Sequence, residues 1–249
     1  LLKPMSQVAG VLAVQYGAQY LQKKYAGRGV TLGRIDNTEP AKVVVIGGGV
    51  VGSASTLTAA GLGCDVIVIE RKGAWFKKLP KFFSKKIGVL AKNIKIIEST
   101  PANISKAVAD ADLVVGSVLV KGAKAPRLVT ESMVRGMKKG AVLVDVAIDQ
   151  GGCLWGSKPT SHSSPIYLLQ EKVYCNITNM PGQVPRQSSQ ALTHSTFPYL
   201  LSLVNKGLEK SFKKDKGLAK GVNVRNGKVT YKAVAEALKL LDHYEEMKI

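Results

Sequence analysis

Apolar residues fall into two spacings along this chain. Short, largely β-branched runs recur at 43–46, 66–69, 94–97, 113–115, 142–146 and 173–177, the composition of parallel strands covered on both faces. Between most of them, apolar positions three or four apart predict helices over 50–62, 104–109 and 131–137, the last with Thr130 as N-cap. Ahead of the first run, Val8, Val11, Leu12, Val14, Ala18 and Leu21 share helical spacing, with Ser6 placed to cap that helix. Gly27-Arg28-Gly29 and Pro40 then mark a linker. Strand and helix alternating in this way predict an α/β fold built on a doubly wound parallel sheet.

After Met180 the pattern changes. Pro181 and Pro185 lead into a mostly helical segment, with helices expected over 188–205 and, past an Asn226-Gly227 turn, from a Thr230 cap to about 241. The expected division is therefore 1–180, a nucleotide-binding domain with a leading helix, and 181–249, a helical part of an incomplete second domain. Its apolar faces need a surface to pack on: the sheet domain, a partner subunit or a further segment.

The net charge of +19 and the pI near 9.8 change this picture less than their size suggests. A basic surface attracts polyanions without specificity. Here the cations cluster in two runs, Arg71 to Lys95 without an acidic residue, and Lys206 to Lys220. Such runs commonly form solvated faces, and no nucleic-acid-binding signature accompanies them, so no nucleic-acid partner is expected. Cys64, Cys153 and Cys175 lie far apart and show no metal-ligand spacing, which reads as free thiols in a reducing, cytoplasmic setting and no metal. The uncharged stretch between Lys42 and Asp65 is long enough to cross a bilayer. Its glycines, serines and threonines, and its split into a β-branched run and a helical pattern, read instead as strand, turn and helix, so no membrane span is expected.

That same stretch carries the chemistry. Gly47, Gly49 and Gly52 form G-x-G-x-x-G between a strand and a helix. The first glycine permits a tight turn, the second lets backbone approach a pyrophosphate, and the third lets helix and strand pack closely. The helix N-terminus then offers free N–H groups and partial positive charge to phosphates. Glu70 ends the next strand, where a carboxylate accepts from adenosine ribose hydroxyls and repels a 2′-phosphate. Strand, helix and acid agree on a Rossmann-type dinucleotide site favouring NAD over NADP. Arg71 beside Glu70 bears on that preference, and FAD and SAM sites use similar turns.

Longer strings carry a more specific resemblance: KPMSQVAG at 3–10, GRGVTLG at 27–33, VVVIGGGVVG at 43–52, ADLVVGSVLVKGAKAPRLVT at 111–130, MVRGMKKGAVLVDVAIDQGGC at 133–153, YCNITNMPGQVPRQSSQALT at 174–193 and FPYLLSLVNKG at 197–207. Over nearly its whole length the chain resembles the alanine dehydrogenase family, which shares ancestry with the NAD-binding subunit of nicotinamide nucleotide transhydrogenase. Asp149-Gln150, where the transhydrogenase branch carries Glu-Gln, and AKAPRLVT favour the dehydrogenase branch. The resemblance implies interconversion of L-alanine with pyruvate and ammonia, hydride passing to or from NAD. It also implies that Ser6 touches the pyrophosphate, Glu70 the ribose and Ser99 the adenine side. Val118, Leu119, Ile148, Asn179 and Met180 are then expected to line the nicotinamide half, with Asp149 beside the substrate and the nicotinamide ribose. From the residues alone, Asp149 reads equally as the start of a polar turn before Gly151-Gly152.

His162 reads as a loop residue, His194 has no catalytic role, and Cys153, with no paired base in view, reads as a buried thiol. Lys121 and Lys139 stand where the family pattern has prolines, and RKGAWFKKLPKFFSKKIGVLAKN replaces the usual loop and helix after Glu70. In the resembled family the Arg and Lys that grip the substrate, and the His that moves its proton, precede the equivalent of Lys3. The chain as given is thus expected to bind NAD but not to turn over alone, completed by a homo-oligomer or a complementing N-terminal segment. Two alternatives remain: a non-catalytic NAD-binding protein, and a split NAD-binding subunit of a transhydrogenase.

Overall fold

The computed structural model describes residues 1–119 and 125–247. The chain divides into two compact units, one spanning Leu2–Ser188 and the other beginning at Ser189. The first holds α1 (Lys3–Tyr20), β1 (Lys42–Ile46), α2 (Val50–Gly61), β2 (Asp65–Glu70), α3 (Ala74–Ile87), β3 (Ile94–Glu98), α4 (Pro101–Ala109), β4 (Leu113–Gly116), α5 (Glu131–Arg135), β5 (Val142–Asp145), β6 (Ile166–Leu169) and β7 (Lys172–Cys175). Its seven strands run in the order β3-β2-β1-β4-β5-β7-β6. All neighbours pair in parallel except β6, which returns antiparallel beside β7.

Every predicted strand forms, for the reason given by its composition. In β1, Val43 and Val45 pack on the face shared with α1 and α2, while Val44 and Ile46 pack on the opposite face, and all four are buried. A strand covered on both sides needs no polar alternation, and each such side chain contributes about 1.5–3 kcal/mol of burial.

The sheet gains one strand that the sequence pattern hides. β6 and β7 are joined through Gln170 and Glu171, both at positive φ (51° and 56°). Such two-residue turns ordinarily carry Asn or Gly, so Gln-Glu conceals the hairpin.

Ser6 does not cap α1. The helix starts at Lys3 with Pro4 in its first turn, and no side chain caps it; proline's fixed φ suits that position, which leaves Ser6 inside the helix. Val11 is also exposed rather than packed. Close approach of α1 to α2 depends on Gly10: a Cβ there would lie 2.3 Å from the Val51 carbonyl oxygen. Ser55 Oγ donates to the Gly10 carbonyl at 2.8 Å and fixes the crossing. Thr130 caps α5 as expected, accepting from Met133 N.

The segment after Glu70 is the amphipathic helix α3. Leu79 and Phe83 are buried, while Lys77, Lys78, Lys81, Lys85 and Lys86 are exposed, bearing out a solvated basic face. No helix among the described residues is long and apolar enough to cross a membrane.

The second unit is mostly helical. It contains most of α6 (Pro185–Lys214), broken at Gly207 (φ 73°, ψ 170°), then α7 (Lys216–Ala219), the ribbon β8 (Val224–Arg225) and β9 (Lys228–Val229), and α8 (Lys232–Ala237). Asn226-Gly227 forms the expected turn, with φ of 49° and 76°. Thr230 does not cap α8. Its hydroxyl donates to the Val222 carbonyl at 2.8 Å, and Tyr231 holds the N-cap position without a side-chain bond. α8 is correspondingly short, ending before Lys239 turns the chain at φ 58°.

Candidate dinucleotide site

The strand order reverses about β1, whose neighbours β2 and β4 lead away on either side. Ligands of open α/β sheets bind at such a point, outside the carboxyl ends of the strands. Register brings Ile46, Gly116 and Asp145 to one level there. The residues that follow them, Gly47, Ser117 and Val146, leave the sheet together.

Gly47 turns at φ 98°, a conformation that favours glycine. A Cβ on Gly52 would sit 1.7 Å from the Gly47 carbonyl oxygen, so only glycine lets α2 start this close to the turn. Gly49 is the N-cap of α2, and a Cβ there would meet nothing within 4 Å. A side chain on Gly49 would thus stand in open space at the helix start, where the first-turn N–H groups of Val50, Val51 and Gly52 have no acceptor within the helix. That cradle has the chemistry to take a pyrophosphate.

Glu70 closes the same loop from β2. Its Oε2 accepts from Gly48 N at 2.6 Å and its Oε1 from Arg71 N at 2.8 Å. Gly48 is held from two further sides, its carbonyl accepting from Trp75 Nε1 of α3 at 2.7 Å and from Ser53 Oγ of α2 at 2.9 Å. Ser117 Oγ lies 2.8 Å from both the Ile46 and Gly47 carbonyl oxygens and ties β4 to the elbow.

Beside the elbow lies an open cavity of about 360 Å³. Ser6, Val51, Val118, Leu119, Asp149, Asn179 and Met180 are among its lining residues. Ser6 reaches it because the close α1–α2 crossing carries that turn of α1 to the sheet end. Asp149 is exposed on the turn Ile148–Gln150, beyond the end of β5 rather than on the strand. Asn179 stands at left-handed φ (52°), and its carbonyl lies 3.3 Å from His162 Nε2; His162 is a loop residue, as expected. No arginine, lysine or histidine side chain lines the cavity among the described residues.

One expected placement differs. Ile148 is buried and is not part of the cavity wall. The turn rolls it inward and leaves its neighbour Asp149 outward. Ser99 follows β3, and its backbone N donates to the Glu70 carbonyl at 2.9 Å, on the β2–β3 side of the elbow. Lys139 forms an ion pair with Glu171 in its turn, and Lys121 falls outside the described residues.

A buried aspartate that the sequence pattern does not single out builds the Asp149 turn. Asp145 is fully buried at the end of β5. Its Oδ1 accepts from Ala147 N at 3.1 Å, and its Oδ2 from Cys153 N at 2.8 Å, Leu154 N at 3.0 Å and Ser157 Oγ at 2.7 Å. One carboxylate therefore ties both ends of the 147–153 loop that carries Asp149. Burial raises the Asp145 pKa, the surrounding donors opposing it. Burial, and then the Asp145 carboxylate, raise the Cys153 thiol well above its ordinary range, in keeping with a buried, unreactive thiol. A single acid in a run of apolar residues, VLVDVA, was the available signal.

The match to known proteins agrees with this construction. The model of the "Alanine dehydrogenase/PNT, C-terminal domain" family matches residues 13–232. The chain belongs to the alanine dehydrogenase/PNT family. It is 45% identical over 240 residues to an alanine dehydrogenase of Halomonas elongata, covering 96% of this chain and 63% of that protein. A solved L-alanine dehydrogenase superposes with a TM-score of 0.86 at 42% identity, over 96% of this chain and 64% of the other. A transhydrogenase from Sinorhizobium meliloti reaches a TM-score of 0.67 at 25% identity, over 82% of this chain and 55% of that one. The chain thus spans a little under two thirds of the length of these alanine dehydrogenases and shares more with them than with the transhydrogenase.

Proposed function

We propose that this chain is the NAD-binding part of an alanine dehydrogenase, acting in oxidative deamination of L-alanine to pyruvate and ammonia. The observation that carries the reading is the open cradle at Gly49. It lies at the first turn of α2, whose N–H groups at Val50, Val51 and Gly52 have no acceptor within the helix, with the Glu70 carboxylate hydrogen-bonded to the same loop and the cavity beside it.

In this reading the first turn of α2 and Ser6 hold the pyrophosphate, Glu70 takes the adenosine ribose hydroxyls, and Ser99 borders the adenine. Val118, Leu119, Asn179 and Met180 shape the nicotinamide half and exclude water from it, while Ile148 supports that wall from the core. When bound, the dinucleotide supplies the hydride acceptor. Asp149, outward on its turn, is placed to hold the nicotinamide ribose or the substrate's ammonium group. Asp145 fixes that turn and so sets where the Asp149 carboxylate stands.

The substrate's carboxylate requires a cationic partner, and none lines the cavity among the described residues. We assign that grip to a further segment or to a partner subunit, 189–249 being part of the substrate domain so completed. The assembly is proposed to be a homo-oligomer in the cytoplasm. A split transhydrogenase subunit has weaker support, given the identities of 42% and 25%.

The test is cofactor binding by calorimetry on wild type and Glu70→Ala. Wild type is expected to bind NADH more tightly than NADPH. Loss of the charged acceptor is expected to cut that preference roughly tenfold, the scale of one hydrogen bond to a charged group. An unchanged preference in Glu70→Ala rejects the assigned role, and alanine-dependent NAD reduction by this chain alone rejects a grip supplied by a further segment.

A further inference from the structure

The helix that departs from the family pattern packs directly on the glycine elbow. A Cβ on Gly48 would meet Leu79 Cδ1 of α3 at 2.9 Å, ahead of Glu70 Oε2 at 3.3 Å. Trp75, in the first turn of α3, donates its indole N–H to the Gly48 carbonyl at 2.7 Å, while Glu70 accepts from the N–H of the same residue. The two side chains thus grip one residue of the elbow from either end. Trp75 is held from behind by Phe82, ring centroids 5.5 Å apart, and Phe82 by Phe83, 5.3 Å away and buried. Yet 41% of Trp75 remains exposed. An aromatic ring fixed at its N–H and braced on one side, but left open elsewhere, is preorganised to receive another flat ring.

We propose that Trp75 is a cofactor-binding residue of the dinucleotide site, its open surface being the platform on which the adenine of the bound nucleotide stacks. The proposal rests on the dinucleotide reading: a nucleotide with its ribose on Glu70 carries its base within one residue's span of the side chain that shares Gly48 with Glu70. Because the N–H is committed to Gly48, the ring holds the base by stacking and not by reading its hydrogen-bonding groups. The lysine face of α3 then flanks the adenosine end and leaves the nicotinamide half to other residues.

The probes are NADH, ADP-ribose and reduced nicotinamide mononucleotide, titrated by calorimetry against the full 249-residue chain. Trp75→Ala is expected to weaken ADP-ribose and NADH about fivefold or more, the scale of one lost base–aromatic stack, while the mononucleotide, which has no adenine, keeps its affinity. Of the two tryptophans, Trp155 is removed in a Trp155→Phe variant, so that the remaining emission reports Trp75 alone. ADP-ribose is expected to quench that emission, a readout that stands even if Trp75→Ala does not fold. An unchanged ADP-ribose affinity in folded Trp75→Ala, or no quenching in Trp155→Phe at saturation, overturns the platform and leaves the dinucleotide reading intact. Wild type that binds neither NADH nor ADP-ribose overturns both.

Discussion

The unit spanning Leu2–Ser188 and the segment from Ser189 onward use apolar residues in opposite ways. In the first, β1, β4, β5 and β7 bury their side chains on both faces, and Leu21, Leu79, Phe83, Leu113, Leu143, Leu154 and Tyr174 are almost wholly covered. In the second, α6 leaves Leu200 at 53%, Val204 at 72% and Leu208 at 51% exposure, and burial is confined to a few residues such as Phe212, Ala219, Val229 and Ala235. A sheet between two helical layers closes its own core. A helical hairpin with a two-stranded ribbon has too few layers to do so. The difference puts the closed core and the candidate dinucleotide site in the same unit, and agrees with the proposal that the second belongs to a domain completed elsewhere.

The largest expected contrast is in local opening. Hydrogen exchange should find the amides of β1, β4 and β5 opening only near the global unfolding free energy, and those of α6 to α8 exchanging with little protection. Mild proteolysis should accordingly cut beyond Ser189 while a fragment ending near Ser188 persists. Equal protection in both units would remove the distinction.

Substitutions sharpen it next. Asp145→Ala leaves the N–H groups of Ala147, Cys153 and Leu154 buried without their acceptor. An expected loss of about 3 kcal/mol or more, read from urea unfolding, follows from several unsatisfied donors. Leu208→Ser in the second unit should shift stability by no more than about 0.5 kcal/mol, as for an exposed position. A costly Leu208→Ser with a silent Asp145→Ala would invert the picture.

A further contrast is alkaline destabilisation confined to the sheet unit. Burial pushes the Cys64 thiol up to about 11, with Asp65 and Asp112 adding to it, and burial pushes Cys175 up to about 12. Burial likewise takes the Tyr20 hydroxyl to about 12. Each folded value lies above the unfolded one, about 8.5 for a thiol and about 10 for tyrosine. Their contribution is therefore fully present below the unfolded values and is lost as pH rises through the folded ones. Melting temperature should fall between about pH 9 and pH 12, and all three thiols should resist a thiol-specific chromophore at pH 8 until the chain unfolds. Rapid native labelling of Cys64 or Cys175 would contradict this.

What could be read from the sequence was what a short stretch decides by itself. Gly47 and Gly52 announce their turn because the positive φ of the one and the nearby Gly47 carbonyl at the other admit little else, and Glu70 follows from the length of one helix and one strand. The two-face burial of 43–46 and 113–115 is written in uninterrupted apolar residues. Asp145 was passed over because its partners return from Cys153 to Ser157, after a loop whose path no periodicity records. β6 is hidden by a turn of unusual residues, and α1 starts with the proline two residues before Ser6 in its first turn, a signal that competes with the serine. Trp75 was visible as an aromatic among lysines, but only the packing of α3 brings its N–H to Gly48.

The central claim is that a nucleotide's pyrophosphate rests on the first turn of α2 with its ribose on Glu70. The most direct measurement is a crystal structure of this chain at saturating NADH. The account predicts phosphate oxygens within hydrogen-bond distance of the N–H groups at Val50 to Gly52, and ribose hydroxyls on the Glu70 carboxylate in place of its bond from Gly48 N. An empty elbow at saturation, or NADH bound elsewhere on the chain, would contradict it.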